Sequence, residues 1–344
     1  MPPESARTVR IGCVGLGPWG SNIARTLLEI EGAEVVALCD QRPERLTPFR
    51  RRAPQLRLTG EAETLLDDRT IEGIVIASHA GAHASLAQAA LNRGKAVFVE
   101  KPLALNLSDA EATVELAERT GRLLMVGHLM LYHPAIERLR TLVRAGELGE
   151  ILYLYSQRVN LGTIRTDENA LWCFGPHDVS MALHLLGESP VRVQAFGHSF
   201  LRDGVVDVVF VWLSFASGRM AQLHLSWLDP NKIRRLTLVG RRKMAVFDDM
   251  EPAEKLRIYD KGVSEPIPGA GTVDALTLRF GEIQAPRLPA VEPLRIECAH
   301  FLGCIRSGQT PRSGGQEGLQ VIRVLEAAQR SLDRAGAEEA IAAA

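Results

Sequence analysis

The chain has 344 residues, 46% of them apolar, enough for two domains, because a single core seldom grows much past about 250 to 300 residues. Lys and Arg number 40 against 41 Asp and Glu, so the formal charge is −1; no global field draws in nucleic acid or an anionic membrane, and an anionic ligand has to be held locally. Five cysteines without metal-ligand spacing, no apolar leader at the N-terminus and no apolar stretch of about 18 residues predict a cytoplasmic chain with reduced thiols, no metal and no membrane span.

An apolar run (Val9, Ile11, Val14) breaks into Gly15-Leu16-Gly17-Pro18-Trp19-Gly20, a helix is expected from near Ser21, and a second apolar run (Val35, Val36, Leu38) stops at Asp40. This is a dinucleotide-binding fingerprint in its proper setting. Gly15 allows the tight turn, Gly17 lets backbone approach a pyrophosphate, and Gly20 permits close packing of helix on strand. The phosphates then sit at the positive end of the helix, and Asp40 is placed to accept hydrogen bonds from a ribose diol. Pro18, Trp19, Gln41 and Arg42 flank these positions and join the expected cofactor set.

Strands and helices go on alternating, as in a doubly wound parallel sheet. Pro43 opens a short helix, 71–77 reads as a buried strand, 84–92 as a helix and 96–99 as another buried strand. Ser108 with Glu111 reads as a capping box on a helix ending at Thr120; a strand over 123–126 and a helix over 134–145 follow. From Ile151 the pattern changes to long alternating runs at 151–159, 191–200, 205–216, 219–228, 233–239 and 243–247, with one helix, 178–186, among them. That predicts a second, α+β domain on an open, mostly antiparallel sheet. Residues 262–293 read as loop, 294–306 and 315–333 as helices. The expected division is a Rossmann domain over 1–127, a substrate-binding and oligomerisation domain over 128–334 whose last helices can pack back on the first, and a frayed tail over 335–344.

Glu100-Lys101-Pro102 follows a buried strand. In open α/β sheets ligands bind beyond the carboxyl ends of the strands, so Lys101 is delivered to the cofactor, where an ammonium can orient a hydroxyl and stabilise a developing alkoxide. Ser78, His79, His83 and Glu100 stand at comparable strand ends and complete the cofactor set. The four-residue spacing of His79 and His83 is one seen in metal pairs, but no third ligand is evident, which leaves cofactor contact or capping.

With these stretches the chain resembles the Gfo/Idh/MocA oxidoreductases. The resemblance rests on GLGPWG, on Val97 to Ala104, on Met125 to Ile136, on Asn160 to Asp178 and on Trp227 to Gly240. It implies an NAD(P)-dependent enzyme acting on a hydroxyl of a sugar, cyclitol or nucleotide sugar. The Leu171-Trp172-x-x-x-Pro176-His177-Asp178 pattern is similar to that of UDP-N-acetylglucosamine 3-dehydrogenases, which points to C3 of a UDP-N-acetylglucosamine-type substrate. The resemblance assigns catalysis to Lys101 and His177. A histidine suits the proton half of such a reaction, since its ordinary pKa of about 6.5 lets it take or return a proton near neutrality. Many relatives carry Asp where this sequence has Cys173, four residues before the histidine. Asp178 is read instead as the cap of the helix over 178–186.

Expected substrate contacts are His128 and Tyr132 after the last Rossmann strand, Arg158, Asn160, Arg165, Asn169, Trp172, Cys173 and His177 around the 160–172 loop, and Lys232 with Arg234, a local basic cluster suited to a diphosphate. NAD is expected over NADP because Asp40 repels a 2′-phosphate, an effect Arg42 partly offsets. Phe210, Trp212, Leu223, Leu225 and Trp227 are expected to line an uncovered sheet face and drive a homodimer or homotetramer. The alternative to the enzyme is a cofactor-binding regulatory or sensor protein of the same fold.

Overall fold

The computed structural model describes residues 7–162, 164–165, 168–264 and 277–342. In chain order the elements are β1 (Val9–Val14), α1 (Pro18–Glu29), β2 (Ala33–Cys39), α2 (Pro43–Arg52), β3 (Arg57–Thr59), α3 (Glu63–Leu66), β4 (Gly73–Ile76), α4 (His83–Asn92), β5 (Ala96–Glu100), α5 (Leu107–Thr120), β6 (Leu124–Gly127) and α6 (Pro134–Arg144). There follow β7 (Ile151–Val159), α7 (Ala170–Leu186), β8 (Pro190–His198), β9 (Val208–Phe215), β10 (Met220–Ser226), β11 (Ile233–Gly240), β12 (Met244–Asp248), β13 (Leu256–Ser264), β14 (Thr277–Gln284), α8 (Pro293–Ser307), α9 (Gly315–Asp333) and β15 (Glu339–Ala340). Two compact units result: Met1–Tyr132 with Val291–Ile322, and His133–Ala290 with Arg323–Ala344. The second stretch of the first unit, Val291–Ile322, carries α8 and the start of α9.

The first unit holds a six-stranded sheet in the order β3-β2-β1-β4-β5-β6, every neighbouring pair parallel. This is the doubly wound order whose reversal point lies between β1 and β4. Its strands carry the near-continuous apolar sequence of a sheet buried on both faces; Gly73-Ile74-Val75-Ile76 and Val97-Phe98-Val99 are wholly buried. Ser313 and Gly314 of the returning segment lie along β6: Val126 N donates to Ser313 O at 2.8 Å, and Gly314 bridges Met125. The cap of α5 is Asn106, whose side chain accepts from Asp109 N at 2.8 Å, and not Ser108, which falls inside the first turn.

The second unit holds a nine-stranded sheet, β14-β13-β12-β11-β7-β10-β9-β8-β15, antiparallel except for the β7/β10 pair. α7 packs on one face, against β7, β9 and β10. It begins at Ala170 rather than 178, capped by the Asn169 side chain, and runs through Pro176 to a left-handed Gly187 at φ 65°. Pro176 has no N–H, so it looks like a helix start from sequence, whereas here it costs one bond inside a helix already under way.

Three further expectations are corrected. Residues 262–264 and 277–284, expected as loop, belong to the antiparallel strands β13 and β14; the Pro/Gly-rich part of that loop, 265–276, lies outside the described residues. The tail is not frayed to its described end: Glu339 and Ala340 pair with Val193 and Arg192 of β8. The apolar residues expected on one open face occupy both faces. Trp212 pairs with Gln222 and Phe210 with His224 on the face opposite α7, whereas Leu223, Leu225 and Trp227 are buried. Tyr153, Tyr155, Phe196 and Met220 are exposed with Trp212 on the open face.

Candidate functional site

In the first unit the fingerprint glycines have separate tasks. Gly15 adopts φ 91°, and a Cβ there would lie 2.5 Å from Ser78 N; one on Gly20 would lie 2.0 Å from Gly15 O. Neither space can hold a side chain. A Cβ on Gly17 would meet nothing nearer than Arg45 Nη1 at 3.8 Å, so the loop is open at the one glycine expected to face a pyrophosphate. Gly17 is also the N-cap of α1 and no side chain caps it, which leaves the positive helix end available to an anion.

Asp40 directly follows β2 and is buried. Oδ2 accepts from Leu16 N at 2.7 Å and from Arg45 Nη1 at 3.2 Å, and Oδ1 accepts from Arg42 N at 2.9 Å. Burial works to raise its pKa, but the Arg42 and Leu16 amides and the Arg45 guanidinium outweigh it and hold the carboxyl below its ordinary value. A carboxylate has about four acceptor positions, so roughly one is left for a ribose hydroxyl. Asp40 thus shapes the glycine loop through Leu16 N. Arg45 is the residue sequence reasoning missed; its signal was a base in the first turn of the helix after the acid. Gln41 and Arg42 are exposed.

Ser78 and His79 follow β4, with His79 exposed. His83 is buried at the start of α4, its Nδ1 2.7 Å from Pro102 O and its Nε2 3.2 Å from Ser78 O. Burial, the largest influence, holds its pKa down, so the neutral ring braces the turn after β5. Glu100 is buried at the end of β5. Its Oε1 accepts from Trp19 Nε1 at 2.6 Å and its Oε2 from Lys101 N at 3.1 Å. Burial raises its pKa to about 7 against the pull of those donors and of Lys101. Lys101 itself is half-buried at the strand end.

His128 is buried just after β6, and neither ring nitrogen has a hydrogen-bond partner among the described residues. Tyr132 leaves the substrate set. It is 1% exposed, and its hydroxyl lies 2.9 Å from Ser313 Oγ, which itself donates to Val126 O.

In the second unit α7 brings Cys173 and His177 one turn apart, Cys173 buried and His177 half-buried. Asp178 is no cap. It is buried in mid-helix, and its Oδ2 accepts from Arg158 Nε at 2.5 Å, an ion pair closed on both sides. Arg158 is thereby removed from direct substrate contact. Asn169 is spent on capping Trp172 N at 3.1 Å and on donating to Gln329 Oε1 at 2.8 Å. Arg165 pairs with Glu168 at 2.8 Å.

Arg234 stands directly across from Arg158 in the β11/β7 register, and Lys232 immediately precedes β11. Burial and the Arg158 charge lower the Arg234 pKa, with Asp249 partly compensating at 3.7 Å. Lys232 is exposed and Asn160 half-buried. Among the described residues no group of three or more His, Cys, Asp or Glu could hold a metal ion, and no helix is long and apolar enough to cross a membrane.

An open glycine loop, an acid closing β2 and a lysine closing β5, together with a second α/β unit carrying a helix-borne histidine, define a nicotinamide-dependent oxidoreductase. The family models agree: residues 9–128 match "Oxidoreductase family, NAD-binding Rossmann fold" and residues 136–246 match "GFO/IDH/MocA C-terminal domain". The chain belongs to the Gfo/Idh/MocA family, and residues 9–128 are its NAD-binding fold.

It is similar to a myo-inositol 2-dehydrogenase of Thermotoga maritima, 26% identical over 94% of this chain and 96% of that one. It is also similar to a UDP-N-acetylglucosamine 3-dehydrogenase of Acidithiobacillus ferrooxidans, 26% identical over 91% of this chain and 94% of that one. A solved structure from Magnetospirillum magnetotacticum superposes with a TM-score of 0.80 at 31% identity, covering 93% of this chain and 99% of that one.

Proposed function

We propose that the chain transfers a hydride between NAD and a hydroxyl-bearing carbon of a sugar, with a nucleotide sugar of the UDP-N-acetylglucosamine type, oxidised at C3, as the substrate. The observation that carries the sugar reading is Lys101 at the end of β5, whose turn is tied through Glu100 to the glycine loop. NAD supplies the two-electron acceptor when bound. Lys101 orients the substrate hydroxyl and lowers the energy of the developing alkoxide, and His177 takes the hydroxyl proton. Gly15, Gly17, Pro18, Trp19, Gly20 and Asp40 hold the cofactor. His128, Asn160, Trp172, Lys232 and Arg234 serve the substrate, the two cations supporting the diphosphate reading. Cys173 is a small space-filler beside His177 with no chemical step of its own.

The test mixes purified protein and NAD with UDP-N-acetylglucosamine, UDP-glucose, myo-inositol and free hexoses, and follows absorbance of reduced nicotinamide. Turnover on the nucleotide sugar is expected. Lys101→Ala and His177→Ala should each cut it by about two to four orders of magnitude while NAD still binds, and Cys173→Ser should keep most of it. NAD binding with no turnover on any compound would instead support the regulatory reading.

The proposal includes a second copy of the chain seated on the open face of the second sheet, where Tyr153, Tyr155, Phe196, Trp212 and Met220 are exposed. These side chains form the apolar surface that a homodimer or homotetramer would cover.

A further inference from the structure

The fingerprint loop and the lysine turn are joined in the first unit by a single carboxylate. Glu100 offers one oxygen to the indole N–H of Trp19, at 2.6 Å, and the other to the backbone N–H of Lys101, at 3.1 Å. The room for this carboxyl is made by Gly127 at the end of β6: a Cβ there would lie 2.9 Å from Glu100 Cδ and Oε1. Trp19 stands in the first turn of α1, two residues past the open Gly17, and is 40% exposed despite its hydrogen bond. An exposed aromatic gains little from packing, so the indole N–H is what fixes it.

A second carboxyl shares the interior. Glu297 of α8 is fully buried, neither of its oxygens has a partner among the described residues, and the Glu100 charge acts on it. Two carboxyls in one dry volume do not both ionise. Glu100 has two N–H donors and the Lys101 ammonium; Glu297 has none, so the charge falls on Glu100 and the proton stays on Glu297. The other ionisable groups around them are Cys298 on α8 and Cys13 on β1, both driven to the neutral thiol by burial, and Tyr132, on which the charges of Glu297 and Arg312 both act. His128 is held neutral by burial first and by the Lys101 charge second.

We propose that Glu100 is a positioning residue that couples cofactor seating to the lysine: its ionised carboxyl, holding Trp19 with one oxygen and the Lys101 amide with the other, sets the glycine loop and the Lys101 turn as one piece. An ionised acceptor binds an N–H roughly twice as strongly as a neutral one, so protonating Glu100 loosens the loop. NAD affinity then falls on the acid side of the Glu100 titration.

The experiment uses the full chain without substrate. Trp19 emission is isolated by subtracting the spectrum of Trp19→Phe, and it is followed over about pH 5 to 9 together with NAD binding. In the unaltered protein Trp19 should titrate near neutrality, and NAD affinity should weaken about fivefold across the same transition. Glu100→Gln should abolish both. Its amide oxygen satisfies one donor and its amide nitrogen opposes the other, so adding Trp19→Phe should cost nothing further in NAD affinity, a non-additive pair. Glu297→Gln should leave the titration in place, and Glu297→Leu repeats that test if the amide variant does not fold. A Trp19 signal flat with pH, a titration that survives Glu100→Gln but not Glu297→Gln, or full additivity of Glu100→Gln with Trp19→Phe would each overturn the proposal.

Discussion

His128→Leu tests whether a buried imidazole, rather than the acids alone, makes this fold acid-sensitive. The ring is 2% exposed and neither nitrogen has a partner among the described residues; burial first, and the Lys101 charge second, push its pKa down to about 3. An unfolded chain holds the same group near 6.5, so the unfolded state binds the proton more readily as pH falls. The sign is therefore a stability present above about pH 6.5 and lost progressively below it, toward the folded value. Between about pH 7 and 5 the unfolded ring gains most of a proton and the folded one almost none, which costs about 2 kcal/mol at 1.36 kcal/mol per pH unit. Leucine has no proton to gain. Urea unfolding followed by circular dichroism at the two pH values should show the loss in the unaltered protein reduced by about 2 kcal/mol in the variant, with stability at pH 7 kept or raised because an unsatisfied polar group has been replaced. If both proteins lose the same amount, the ring is hydrated or partnered and the reasoning fails.

Asp178→Ala should cost about 3–5 kcal/mol, because it strands the buried Arg158 guanidinium, whereas Arg158→Met with Asp178→Leu should recover most of that; a single-variant loss under about 1 kcal/mol in denaturant titration would show the pair to be wet. Asp40→Ala removes the acceptor for Leu16 N as well as that for the ribose, so NAD should bind about ten- to a hundredfold more weakly and preference over NADP should shrink, as read by fluorescence titration with each cofactor. The Asp40 carboxyl is held below its unfolded value near 3.9, so its contribution is present above that pH and disappears as pH falls through the folded value; the acid unfolding midpoint of Asp40→Asn should change accordingly. Trp212→Glu on the open sheet face should give a smaller species in light scattering, and an unaltered chain that is already monomeric at micromolar concentration would refute the shared face.

The Rossmann half was legible because its signals are local. Gly15, Gly17 and Gly20 answer to steric needs within a few residues, and strands buried on both faces announce themselves as apolar runs. The second half was less so. Phe210 and Trp212 alternate along β9 as cleanly as Leu223 and Leu225 alternate along β10, and only the register of that hairpin, Trp212 against Gln222, decides which parity faces α7. Pro176 hid the first two turns of α7, and with them the fact that Asp178 lies mid-helix opposite Arg158. The Pro and Gly around 265–276 made the end of β13 and all of β14 read as loop, although the strands on either side pair from Ile258 with Gln284 to Ser264 with Thr277. Glu100 carried a motif, but its partner across the interior, Glu297, lies nearly 200 residues away in a helix whose apolar pattern gives no hint that an acid has been buried.

That separation bears on how the chain is made. The edge of β6 is paired by Ser313 and Gly314, and Cβ atoms on Gly315 and Gly318 would press on Leu124 and Val126, so the sixth strand is finished by residues synthesised after most of the other unit. A ribosome releasing residues 1–132 releases a cofactor-binding sheet with its β6 edge bare and without α8. Its last contacts are of long sequence separation and form late. Until about residue 322 has emerged, that open strand is the part of the nascent chain most in need of cover by a chaperone, and a gene fragment ending at the domain boundary read from sequence would encode an aggregating half rather than a portable NAD-binding module.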